Sequence, residues 1–192
     1  MKKIGLLLAP LVVLTAACQR EPEEEARLTF HEIMKDEVDK NADALWDLSN
    51  AAIGDRAGID PAKMNDQRWA DIAQRADAVR AAALKIATMD PIVIARPGVK
   101  ISDEGIPGGH TAAQVQARFD ANPQTLRDMA NALAVHVGDI ADGARAHDAA
   151  KIGPLIDQLD GVCENCHLEY WYPDQKELVN SIRNEGGDIP ER

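Results

Sequence analysis

Between Asn65 and Met89 apolar side chains return every third or fourth residue: Trp69, Ile72, Ala76, Val79, Ala83 and Ile86. That step follows the ~3.6-residue turn of an α-helix and gathers the apolar groups on one face. A strand would need alternation with period two, which no stretch of this chain shows. The three-four step occurs three more times. It links Phe30, Met34, Val38, Ala42, Leu45, Ser49 and Ile53 in a helix expected from about Glu23 to Ile53. It links Leu126, Ala130, Leu133, Val137, Ile140 and Ala144. That third helix is expected to start at a Thr111 cap and to be interrupted at Asn122-Pro123, where asparagine caps and proline takes the first helical position. The last stripe, Ile152, Leu155, Leu159, Val162 and Cys166, belongs to a helix from about Asp148 to Tyr172, with Pro154 in its first turn. A helix with one apolar stripe must bury it against a neighbour. Four of them predict an all-α fold: an antiparallel, up-down-up-down four-helix bundle. Gly54, Gly58, Pro61 and Pro91 supply the breaks. The link over residues 90–110 is long and rich in proline and glycine, which marks either a functional loop or a tolerated surface excursion.

The N-terminus bears on the compartment. Lys2 and Lys3 precede an apolar run from Ile4 to Leu14, too short to span a bilayer, followed by L-T-A-A-C at 14–18 and a polar turn at Gln19. This is the layout of a secretory signal peptide over residues 1–17. Ala16 and Ala17 before Cys18 also resemble a bacterial lipobox, although Thr15 stands where leucine is commoner; ordinary cleavage after Ala17 is the alternative. The resemblance implies lipid on Cys18 and a tether over 18–25. Because Gln19 is not an aspartate, it also implies the outer membrane, facing the periplasm. The main domain is then expected over 26–172 and a loose tail over 173–192.

The formal net charge is −11, and loss of the two leader lysines makes it more negative. Such a surface disfavours nucleic acid and anionic membrane surfaces and suits either solubility or a basic protein partner. With Cys18 assigned to export, Cys163 and Cys166 remain, so no disulfide framework beyond that pair can exist.

Those cysteines stand in G-V-C-E-N-C-H-L-E-Y-W-Y-P, residues 161–173. A thioredoxin-like pair would need a strand before its helix. A structural zinc site would need about four ligands, and Cys163, Cys166 and His167 offer three at an awkward spacing. C-x-x-C-H has another chemistry: the two thiols add across the two vinyl groups of haem, and the following histidine is fixed beneath the iron. The expected cofactor is one covalent haem c with its iron, held by Cys163, Cys166 and His167. An unmetallated structural lipoprotein is the bland alternative.

A C-x-x-C-H on the last helix of an all-helical chain resembles the class II c-type cytochromes, cytochromes c′ and their low-spin relatives, over roughly residues 26–172. Tyr170 matches the family's aromatic three residues after the histidine; Trp171 replaces its arginine, so that arginine's role does not carry over. Looser similarity attaches to F-H-E-I-M-K (30–35) and A-L-W-D-L (44–48). The resemblance implies electron transfer with a periplasmic or membrane redox partner, a basic one being favoured, and leaves room for a homodimer. If the iron lacks a sixth ligand, it implies binding of small gases such as nitric oxide or carbon monoxide. No second metal set, nucleophile–base pair or nucleotide loop suggests an enzyme.

The sixth ligand is expected to be Met34. An antiparallel bundle puts the end of helix four beside the start of helix one. Met34 lies roughly ten residues into that helix, about 15 Å along its axis at ~1.5 Å per residue, on the stripe with Phe30 and Val38. Low-spin members of the family place a methionine on the first helix. Met89, Met129 and His31 are rivals at the same end, and ordinary core filling is the plain reading of a methionine. His110 reads as a loop residue, His136 as a boundary residue and His147 as a helix-end residue. Trp46 and Trp69 read as core. Arg96, Arg118 and Arg127 could pair with haem carboxylates but suit a solvated face better.

Overall fold

The computed structural model describes residues 27–54 and 58–184, so the leader, the tether and Cys18 lie outside the described residues. Among the described residues every regular element is helical, and the only β-type pairing is an isolated bridge between Ile53 and Ile59. No helix among them is long and apolar enough to cross a membrane.

The first helix, α1, starts later than its periodicity suggests. Arg27 to Thr29 are not helical, and Thr29 is the cap. Its hydroxyl accepts from Glu32 N at 3.3 Å, while the Glu32 carboxylate accepts from Thr29 N at 2.8 Å. This reciprocal box fixes the start at Phe30. From there α1 runs through Phe30–Ile33, widens into a π-helix over Met34–Asp39, and returns to α winding over Lys40–Asn50. The burial pattern accounts for the widening. Ile33 and Val38 are both buried and stand five residues apart. The wider i→i+5 winding of a π turn brings residues five apart nearer to one face, where a continuous α-helix would turn one out. Ile53, expected on the same stripe, lies beyond the helix and is 44% exposed.

The second helix, α2, is Asp66–Ala87, capped by the Asn65 side chain on Arg68 N at 2.8 Å. All six of its stripe residues are buried. The third expected helix is two: α3, Ala112–Ala121, opened by a Thr111–Gln114 capping box, and α4, Pro123–Arg145, with Asn122 as cap and Pro123 in its first turn. The motif helix, α5, is Ala149–Tyr170 with Asp148 capping Lys151 N. Pro154 sits in its second turn, not its first, because the helix already opens at Ala149, five residues before it. Of the tail expected over 173–192, the described part, up to residue 184, is regular. A 3₁₀ turn, Pro173–Gln175, leads into α6, Lys176–Asn184. That segment is tied back to the motif helix by Lys176–Glu169 at 2.6 Å and by Arg183 to Glu164 and Asn165.

The long helices pack α1 on α2, α2 on α4, α4 on α5 and α5 on α1. Cross-links show opposed directions. Glu37 pairs with Lys85 at 2.6 Å and Asn41 accepts from Arg75 at 3.1 Å between α1 and α2. Arg127 reaches Met89 O at 3.1 Å while Arg145 reaches Asp77. His136 Nε2 meets Leu155 O at 2.7 Å while Asp139 pairs with Lys151 at 3.4 Å. In each pair residue numbers rise along one helix and fall along the other.

The 90–110 link is no surface excursion. It buries Ile92, Ile94 and Ile101 in the core. Val93 O and Ile94 O accept from Phe30 N at 2.8 Å and His31 N at 2.9 Å, satisfying orphan amides of the first turn of α1. The Gln116 amide fixes the link to α3 through Ile94 N and Ile92 O, each at 2.8 Å. At its far end His110 N donates to Trp171 O at 3.1 Å, and the Tyr172 hydroxyl donates to Asp103. The link is a strap from the start of α1 to the end of α5.

Candidate cofactor-binding site

Cys163 and Cys166 are one helical turn apart on α5, with His167 next in the chain, so all three side chains fall on the α5 face that borders α1. They line a cavity of about 280 Å³. Its interior is apolar: Phe30, Met34 and Val38 from α1, Ile86 from α2, Leu126, Met129, Ala130 and Leu133 from α4, and Val162 and Trp171 near the motif. His31, Lys35, Asp39, Ser102, Asp103 and Tyr172 add the polar lining. A groove of about 440 Å³ between α1 and α5 shares Met34, Val38, Asp39, Cys163 and His167 with it and adds Trp46, Asp43, Asp160 and Glu164. Trp46 is thus half-buried in this groove, whereas Trp69 is core, stacked on His147 at 5.1 Å between ring centroids.

Met34 therefore shares both spaces with His167, from the facing helix. Of its rivals, His31 and Met129 line the same cavity. Met89 does not; it lines a separate groove beside Arg27 and Pro91. The three arginines are engaged elsewhere: Arg96 with Glu32 at 2.7 Å, Arg118 with Glu169 O at 3.4 Å, and Arg127 with Met89 O. His110 belongs to the strap's anchor rather than to a free loop, and its Nδ1 is buried without a partner among the described residues.

Burial is the main electrostatic influence. It pushes the Cys163 thiol up to about 11, with Asp160 and Asp39 adding to it, and the Cys166 thiol up to about 12, with Cys163 and Glu169 adding to it. Both sulfurs are neutral thiols at neutral pH. Partial burial also raises the Asp39 carboxyl, helped by Asp43 and opposed by His167 and His31. Tyr172 is raised to about 12 by burial and by its bond to Asp103.

An aromatic group closes the cavity on the strap side. Trp171 lies 6.0 Å from His167, 5.6 Å from Phe30 and 6.3 Å from Phe119, centroid to centroid. Phe119 packs against Tyr170 at 4.8 Å, and the buried Tyr170 hydroxyl has no hydrogen-bond partner among the described residues. Phe119 was accessible to sequence reasoning, since Val115 and Phe119 stand four apart after the Thr111 cap. Ser102 and Asp103 carry no such signal.

Among the described residues no three His, Cys, Asp or Glu side chains converge where they could hold a metal ion. In comparisons with protein-family models, curated proteins and solved structures, nothing matches the chain.

Proposed function

We propose that this chain is a monohaem c-type cytochrome that carries electrons, built as an up-down-up-down four-helix bundle of the cytochrome c′ kind. One observation carries the reading: both thiols and the imidazole of C-x-x-C-H line a single apolar cavity that also receives a thioether, Met34, from the facing helix. The donor set suits haem better than a bare ion. Thiols that bond carbon need not converge with His167 on one point, whereas a structural zinc site needs about four ligands that do. Cys163 and Cys166 would hold the haem, His167 would be its proximal ligand and Met34 its distal one. Bound haem supplies an iron that takes up and returns one electron. The chain's own part is to keep water from that iron with Phe30, Val38, Leu126 and Trp171, and to fix His167 on a helix. Export and lipid on Cys18 would place the domain at the periplasmic face of the outer membrane. The acidic surface suits a redox partner with a basic contact face.

The test is export of the full chain alongside haem-maturation machinery, followed by a denaturing-gel haem stain and a pyridine haemochrome spectrum. Covalent haem in the wild type and its loss in a Cys163→Ala/Cys166→Ala variant are expected. A wild-type chain without covalent haem overturns the reading. A high-spin holoprotein that takes up carbon monoxide at once keeps the haem but replaces electron carriage with gas binding at an open site.

A further inference from the structure

Resting on the haem reading above, we infer that Lys35 holds a haem carboxylate at the mouth of the cavity. Haem carries two carboxylates, and an anion in an apolar cavity must keep to its mouth, with water or a cation. Lys35 is the one lysine or arginine that lines the cavity, and it is exposed. The arginines that the sequence offered for this task lie outside the lining and are engaged by Glu32, Glu169 O and Met89 O.

The ammonium of Lys35 has neither an ion pair nor a hydrogen bond among the described residues, although Asp39 stands four residues on. Its charge is thus left for another partner, beside Met34 on the cavity lining. Across the mouth the strap offers Ser102, whose hydroxyl also has no partner among the described residues and lines the same cavity. Asp103, beside it, already accepts from Tyr172. Lys35 supplies the charge and Ser102 a neutral donor.

The experiment measures midpoint potential and the resonance Raman carboxylate-bending band in holoprotein of wild type, Lys35→Gln, Lys35→Arg and Lys40→Gln. Lys40 is an exposed lysine of α1 outside the cavity lining. Loss of the cation leaves the carboxylate's charge uncompensated and favours oxidised iron. Lys35→Gln is therefore expected to lower the potential and shift the band, Lys35→Arg to stay near wild type, and Lys40→Gln to change neither. An unmoved potential in Lys35→Gln, or an equal fall in Lys40→Gln, overturns the contact while leaving the haem reading intact. Absence of haem from the wild type would remove both.

Discussion

On the haem reading proposed above, Met34 would be the side chain on which the spin state turns. It shares its cavity with His31, within one turn of it on α1, and with Met129 of α4, so truncation leaves other donors near. Met34→Ala is expected to lose the methionine–iron charge-transfer absorption, to lower the potential and to open the iron to carbon monoxide, all read by absorption and magnetic circular dichroism of the holoprotein. An unchanged low-spin spectrum would point to His31 or Met129 instead. The cysteines can be tested before haem is added. With thiols near 11 and 12, the folded haem-free chain holds far less thiolate than a free cysteine. The greater nucleophilicity of a high-pKa thiolate offsets part of this, leaving alkylation at pH 8 about tenfold slower than in denaturant. Equal rates with and without urea would mean that burial does not control these thiols. At this scale the motif was legible because its parts adjoin in the chain, and the place of Met34 in the cavity of His167 because antiparallel helices bring known ends together, although α1 opens at Phe30 and Met34 lies four residues past that start rather than ten. The polar rim was not, since no motif or spacing marks Lys35 and Ser102 depends on the path of the strap.

Helix starts and helix contacts set the next scale. Glu32 closes the capping box of α1 and pairs with Arg96, and the Thr29 backbone bond, then Arg96, hold its carboxyl below the usual value of 4.5. A carboxyl lowered by folding contributes its full stability above its unfolded value and loses it as pH falls through its folded one. Glu32→Gln should therefore cost about 1 kcal/mol at pH 7 and much less near pH 3, measured by urea unfolding. A gap of equal size at both pH values would show that charge is not its source. Where α4 meets α5, a Cβ on Gly143 would stand 2.6 Å from the Cγ2 of buried Ile152, a stub that cannot swing away. On Gly138 it would meet only the flexible end of Arg80, at 3.4 Å. Gly143→Ala is expected to cost about 1–3 kcal/mol, and Gly138→Ala much less, in the same unfolding measurement; a reversed order would contradict the packing. The stripe of α2 was readable because each three-four step buries its residue. In α1 the same counting misled: Phe30, Met34 and Val38 step evenly by four, and nothing in that rhythm reveals the five-residue step from Ile33. The short α6 hid for want of length, with Leu178 and Ile182 one turn apart but 63% and 54% exposed.

For the molecule as a whole, the strap matters more than its lack of regular structure suggests. Its contacts run through backbone carbonyls, which no residue type announces, so composition read it as a loop and burial shows it as core. It also joins regions far apart in sequence, the first turn of α1 and the last turn of α5, and the candidate site lies between them. Two of its carbonyls hold the amides of Phe30 and His31, and its own His110 amide is held by Trp171. These three protons should then exchange with solvent as one cooperative unit, released by a single opening of the strap rather than by fraying at each helix end. Native-state hydrogen exchange under mild denaturant would show them converging on one opening free energy, separate from that of the α2–α4 core. If they exchange independently, the strap is merely laid along the surface of the helices. If they move together, the helix that carries Met34 and the helix that carries His167 share one fastening, and loosening it at either end reaches both sides of the cavity at once.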